Sequence, residues 1–76
     1  MGVVEEKEII WKSVQELPKE WRICIMLFYR EDKSIADISK ITDLNKGTIR
    51  TYLHRGRKQL RIKLERIGLE ANEYEI

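Results

Sequence analysis

Apolar residues along this chain recur at helical spacing, with little of the strict alternation that marks a half-buried strand. From Val3 to Glu16 the pattern predicts a first helix, with Ile10, Val14 and Leu17 on one side. Pro18 marks a new start, because proline at the first helical position gives up only a donor that would be unpaired there. A second helix follows from Lys19 to about Arg30. Its centre, Ile23 to Tyr29, is apolar at every position, so periodicity does not choose the inward face. Trp21, Cys24, Ile25 and Phe28 form one possible stripe; Cys24, Leu27 and Phe28 form another. A buried strand competes over this run, but twelve helix-compatible residues after a proline favour a helix.

Glu31-Asp32-Lys33 breaks the pattern. Ser34 then offers an N-cap, and Asp37 three residues later makes a variant of the capping box. Ile35, Ile38 and Ile41 give a third helix of about two turns on an amphipathic pattern. Thr42-Asp43-Leu44 reads as a turn, with Asp43 suited to the left-handed position after a helix. Asn45 offers a second N-cap, opening a long fourth helix from Lys46 to about Ile67. Its apolar stripe is Ile49, Leu53, Gly56, Leu60, Leu64 and Ile67, and Gly68 is a natural terminator. The predicted fold class is therefore all-α: a four-helix domain over residues 1–68 containing a helix-turn-helix, then an acidic, flexible tail over 69–76.

Charge sharpens this picture. The formal net charge of +2 is the balance of very unequal segments: −2 over residues 1–20, zero over 21–45, +7 over 46–66 and −3 over 67–76. Nearly all the positive potential thus lies on the long helix, as expected for a polyanion partner. A short helix, a tight turn and a long basic helix form the arrangement that inserts one helix into a DNA major groove. Opposite the apolar stripe lie Lys46, Arg50, Thr51, His54, Arg55, Lys58 and Arg61. Near its N-terminal end the helix can reach base edges; further along, it meets phosphates as it leaves the groove.

Other chemistries find little support in the residues. The single cysteine, Cys24, lies in an apolar run and reads as a buried, reduced thiol of a cytoplasmic protein. No run is long and apolar enough for a membrane span, and the acidic start is unlike a secretory signal. His54 has no Cys, His or acidic cluster at ligand spacing, so no metal is expected. The serines lack a histidine partner, and there is no glycine-rich phosphate loop; neither an enzyme, a cofactor nor a small-molecule substrate is indicated.

Four local motifs stand in order along the chain: Leu17-Pro18 with Arg22 four residues after the proline, Ser34-Ile35-Ala36-Asp37-Ile38-Ser39, Gly47-Thr48-Ile49-Arg50-Thr51, and His54-Arg55-Gly56-Arg57 with Leu60-Arg61. Together they resemble region 4 of the sigma-70 family, in its extracytoplasmic-function branch. The resemblance covers about residues 10–64. It implies that the long helix docks on the promoter −35 element, with Arg50, Thr51, His54 and Arg55 at positions that reach bases or neighbouring phosphates. The full DNA-binding set expected is Lys46, Thr48, Arg50, Thr51, His54, Arg55, Lys58 and Arg61. Three positions depart from the family pattern. Ser39 stands in place of a small alanine, and Thr42 in place of a large apolar residue, which implies looser or rearranged packing. Gly56 replaces a helical alanine at a propensity cost of roughly 1 kcal/mol, which close approach of another helix would explain.

The resemblance further implies the RNA polymerase β-subunit flap and an anti-sigma factor as protein partners. The uniformly apolar second helix supplies a candidate surface, Ile23, Met26 and Tyr29, because either stripe leaves Met26 off-centre. A LuxR-type or other helix-turn-helix regulator is the alternative within DNA binders. A LuxR-type module breaks after its recognition helix, whereas this stripe runs on from Ile49 to Ile67. An adaptor for acidic proteins or an RNA-associated helix-turn-helix protein is the alternative outside that class. A complete sigma factor also needs a region that melts the −10 element, so the chain is expected to be a C-terminal domain or a free-standing region 4 protein.

Overall fold

In a computed structural model of the protein, residues 6–68 are described, and the other helices pack on one stripe of the last. These elements are α1 (Glu6–Gln15), α2 (Lys19–Ile25, continued by a π-helical turn, Met26–Arg30), α3 (Ile35–Thr42) and α4 (Lys46–Arg66). The family of four helices is all-α, as the spacing predicts. Residues 3–5 of the predicted first helix, and the 69–76 tail, lie outside the described residues.

The core forms where Val14 and Leu17 from the first segment, Cys24 and Ile25 from α2, and Ile38 from α3 meet Ile49, Leu53 and Leu60 of α4. Ile10 and Leu64 are buried as well. Burying a side chain of this kind contributes about 1.5–3 kcal/mol, so this stripe accounts for much of the drive to fold. Ser13 is also buried, and its hydroxyl donates to the Ile9 carbonyl one turn back at 3.0 Å, which leaves no polar atom stranded there. At the α1–α2 corner, Glu16 and Leu17 tighten the last turn through bonds to Ser13 and Val14, both 3.1 Å. The Arg22 guanidinium donates to the Gln15 carbonyl, covering one of the acceptors that a helix end leaves open.

Three expectations need correction, and one open alternative is resolved. Pro18 is the N-cap of α2, with extended backbone at ψ 145°, and the helix proper begins at Lys19. The apolar run, left open between two stripes, turns the first of them inward and widens it: Cys24 and Ile25 are buried, Trp21 and Phe28 are half-buried against the core, and Met26 and Leu27 pack there too. The cause is the π-helical turn, in which the Glu31 N–H donates to the Met26 carbonyl five residues back. That wider turn spreads three consecutive apolar side chains along the edge of the core. Ile41, expected on the α3 stripe, is 57% exposed, because steps of three residues drift around a helix; Thr42, four after Ile38, takes the inner side. Ile67 is 54% exposed, one residue past the end of α4.

Gly56 lies where α2 crosses α4. A β-carbon at this position would sit 2.9 Å from Ile25 Cγ1 and 3.1 Å from Cδ1, so the missing side chain is what lets the two helices close. Burial pushes the Cys24 thiol pKa up, with Glu20 adding to the effect, which keeps the sulfur protonated. On the surface, Lys63 meets Glu16 at 2.7 Å, and this hydrogen bond, followed by charge attraction, holds the Glu16 carboxyl below its ordinary range. A depressed carboxyl pKa contributes stability above the unfolded value and loses it as pH falls through the folded one. Because Glu16 is solvent-exposed, this is a minor tether.

Gly56→Ala is expected to be destabilising although alanine is the better helix former. Overpacking against a stiff, β-branched Ile25 costs about 1–3 kcal/mol, against about 1 regained in propensity, for a net loss of about 1 kcal/mol. Ile25→Val, which removes Cδ1, should make Gly56→Ala less harmful than it is in the parent chain. Thermal unfolding of the four chains in a double-mutant cycle measures this, and a Gly56→Ala chain more stable than its parent would contradict it.

Candidate nucleic-acid interface

Two capped helices joined by a rigid turn hold the basic face. The Ser34 hydroxyl accepts from the Asp37 N–H at 3.0 Å, starting α3. Asp43 then adopts the left-handed conformation, φ 63° and ψ 18°, with its N–H on the Ser39 carbonyl. The two unusual hydroxyls lock this turn. Ser39 Oγ donates to the Leu44 carbonyl at 2.5 Å; Thr42 Oγ1 donates to the Ile38 carbonyl at 2.7 Å and accepts from the Leu44 N–H at 3.3 Å. At Thr42 the packing is thus rearranged, with hydrogen bonds in place of an apolar contact. Asn45 Oδ1 accepts from the Thr48 N–H at 2.7 Å and starts α4.

From that cap, α4 runs unbroken for 21 residues, about 31 Å. Lys46, Arg50, Thr51, His54, Arg55, Lys58 and Arg61 are all exposed. At 3.6 residues per turn they cover about half the helix circumference, centred away from the buried stripe. Thr48 is the exception in the predicted set: it is half-buried, and its backbone N–H is committed to the cap. The Thr51 hydroxyl donates to the Gly47 carbonyl at 3.1 Å. The first turn holds no acidic residue, so the positive end of the helix dipole adds to Lys46 and Arg50 instead of being offset. Such a terminus is electrostatically suited to an anion.

The basic residues do not all face the same way. Lys63 turns back to Glu16. Arg57, absent from the predicted set, donates from Nη1 to the Tyr29 hydroxyl at 3.0 Å and lines one concavity with His54, Lys58 and Arg61. The signal for Arg57 was available in the helical period, which places it on the same flank as Arg50 and Arg61. Among the described residues there is no group of three or more His, Cys, Asp or Glu able to hold a metal ion. No helix among them is long and apolar enough to cross a membrane.

The three residues of the candidate protein-binding face separate. Ile23 is half-buried. Met26 is half-buried too, but packs against the core. Tyr29 is 36% exposed, with its ring edge-on to Phe28 and its hydroxyl engaged by Arg57.

A capped helix-turn-helix whose second helix is long, continuous and basic on its outer face defines a nucleic-acid-binding class of domain. The continuity of α4 through residue 66 sets it apart from a module that breaks after its recognition helix. The family described as "Sigma-70, region 4" matches this chain over residues 7–60. The chain belongs to that family, in its extracytoplasmic-function branch. It is 34% identical over 61 residues to "ECF RNA polymerase sigma factor SigW" of Bacillus subtilis (strain 168), covering 80% of this chain and 33% of that protein. It is also 34% identical over 58 residues to "RNA polymerase sigma factor SigV" of the same organism, covering 76% and 35%. The chain therefore spans about a third of the length of these curated relatives. No solved structure matches it.

If the hydroxyls lock the turn, removing either one leaves a Leu44 backbone group without its partner. Ser39→Ala and Thr42→Val should each lower stability by about 1 kcal/mol, the usual net value of one hydrogen bond. Chemical denaturation followed by circular dichroism measures this. A more stable Thr42→Val chain would instead show that the apolar contact outweighs the bonds.

Proposed function

We propose that this chain is the −35-reading domain of a bacterial RNA polymerase sigma factor, placing its recognition helix in the major groove of promoter DNA. The observation that supports this most directly is the outer face of α4: exposed basic and polar side chains over half its circumference, opposite a fully buried stripe. On this reading Lys46, Arg50 and Thr51, near the capped end, meet base edges, and His54, Arg55, Lys58 and Arg61 meet later bases and phosphates. Thr48 contributes indirectly, its backbone N–H anchoring the Asn45 cap that starts the helix. On this reading the folded domain ends near Gly68, residues 69–76 are an acidic tail, and the protein works in the cytoplasm, where polymerase meets the promoter. Membership of the sigma-70 region 4 family and the names of its relatives support this reading over a LuxR-type regulator.

The test is a titration against promoter and scrambled duplexes at several salt concentrations. The isolated domain should bind in the micromolar range or more weakly, because few phosphates lie within its reach and the acidic residues of segments 1–20 and 67–76 oppose binding. Arg50→Ala should cost about 1–3 kcal/mol on the preferred sequence and narrow its advantage over scrambled DNA. Lys58→Ala should weaken both duplexes alike and reduce the salt slope by about one. Equal losses on both duplexes for Arg50→Ala would exclude a base-reading role.

On the far side of the domain, the outer face of α2 is the proposed contact for polymerase, through its β-subunit flap, or for an anti-sigma factor. Ile23 favours this placement, being partly exposed and absent from the residues packed on the core. Ile23→Glu should keep the melting temperature and DNA affinity while weakening binding to polymerase core. Met26→Glu, at the edge of the core, should lower the melting temperature by introducing a charge into an apolar contact. Unchanged polymerase binding by a folded Ile23→Glu chain would rule this surface out.

A further inference from the structure

The hydrogen bond between Arg57 and Tyr29 joins residues 28 apart in the chain, and both partners are held in place by local structure. Tyr29 sits in the π-helical turn, where the backbone bond from Glu31 to Met26 widens the helix and carries the ring outward. Phe28 braces that ring edge-on, with centroids 5.0 Å apart at 78°. π-Helical turns of this kind frequently occur at functional positions. Arg57 leaves α4 on the flank of the outward face, about 16 Å along the axis from Lys46 and level with Lys58.

The choice of acceptor matters chemically. A carboxylate would neutralise the guanidinium, as Glu16 does for the Lys63 ammonium. A phenol occupies one N–H and leaves the full positive charge, with other N–H groups still able to donate. The side chain is thereby oriented without losing its attraction for anions. His54, Lys58 and Arg61 line the same concavity.

We propose that Tyr29 is a positioning residue that aims Arg57 as a clamp on a DNA backbone phosphate at the edge of the groove. The inference rests on the DNA-binding reading above and adds a contact governed from outside the helix-turn-helix. A phosphodiester fits better than a base edge, because Arg57 lies on the flank of α4 and past its groove-entering end. A planar guanidinium with two or more donors free matches two phosphate oxygens at once.

The test uses the full chain with Tyr29→Phe, Arg57→Ala, Arg57→Lys and the Tyr29→Phe/Arg57→Ala double variant. Dissociation constants are measured on promoter and scrambled duplexes between 50 and 200 mM salt, with melting temperatures alongside. Arg57→Ala should reduce the salt slope by about 0.9, so its deficit against the parent shrinks roughly three- to fourfold over that range. The loss should be equal on both duplexes. Tyr29→Phe should lose part of the same affinity and slope, and should have no further effect once Arg57 is alanine. Arg57→Lys, which keeps charge but not the planar fork, should fall between parent and alanine. A Tyr29→Phe chain that melts lower but binds DNA with parental affinity and slope would overturn the positioning role. Selective loss on the promoter duplex in Arg57→Ala would assign a base contact instead, and loss of polymerase binding alone would assign a protein contact. A parent chain without salt-dependent DNA binding would refute the functional reading itself, whereas a binding parent with unaffected variants refutes only the clamp.

Discussion

The approach of Ile25 to Gly56 governs how the rest of this domain can be assembled. A β-carbon on residue 56 would lie 2.9 Å from Ile25 Cγ1, closer than such atoms normally come, so the α2–α4 spacing requires glycine or a compensating shift. With the crossing this close, Cys24 and Ile25 can share one core with Leu53 and Leu60, while Val14 and Leu17 close over it. The cost of glycine inside a helix, roughly 1 kcal/mol, is offset by the packing it permits.

That packing matters because α4 is a poor helix by itself. Lys46 and Arg50, and Arg57 and Arg61, stand four residues apart, an arrangement in which like charges repel. Its first turn has a cation, Lys46, where the helix dipole favours anions. Exposed basic groups on the outer face and a fully buried stripe on the inner face are therefore coupled. Burial of Ile49, Leu53, Leu60 and Leu64 holds in helical form a segment whose charge distribution works against it. Phosphate on the outer face would relieve the same repulsion, which connects stability to function through one helix.

Orientation depends on groups of lesser individual energy. The hydroxyls of Ser39 and Thr42 fix the backbone of Leu44, and Asp43 accepts the left-handed conformation between the two helices. Together they set the angle at which α4 leaves α3, and so the direction in which Lys46 and Arg50 project. The π-helical turn plays a comparable part for α2, directing Tyr29 toward Arg57 and relaxing the demand that every residue of an apolar run be buried.

Helix number, the two polar caps, the left-handed Asp43 and the outward basic face were legible in the sequence, because each depends on neighbours within a few residues. N-capping needs one side-chain oxygen three residues before a free N–H, and a helix face follows from a fixed angle per residue. The close contact at Gly56 was legible in the same way, since a glycine on an apolar stripe implies a near neighbour. Seven apolar residues in a row contain no angular information, so the inward face of α2 was left to the tertiary contacts, which placed Cys24 and Ile25 inside and brought in a π-helical turn. Ile41 and Ile67 fit the periodic patterns, yet both are exposed. A periodic pattern states which side of a helix is apolar, but not how far the neighbouring elements extend to cover it. The same holds for Arg57 and Lys63, identical in kind to the other basic residues of α4. Their partners, Tyr29 and Glu16, are 28 and 47 residues away, and only the folded chain brings them within hydrogen-bonding distance.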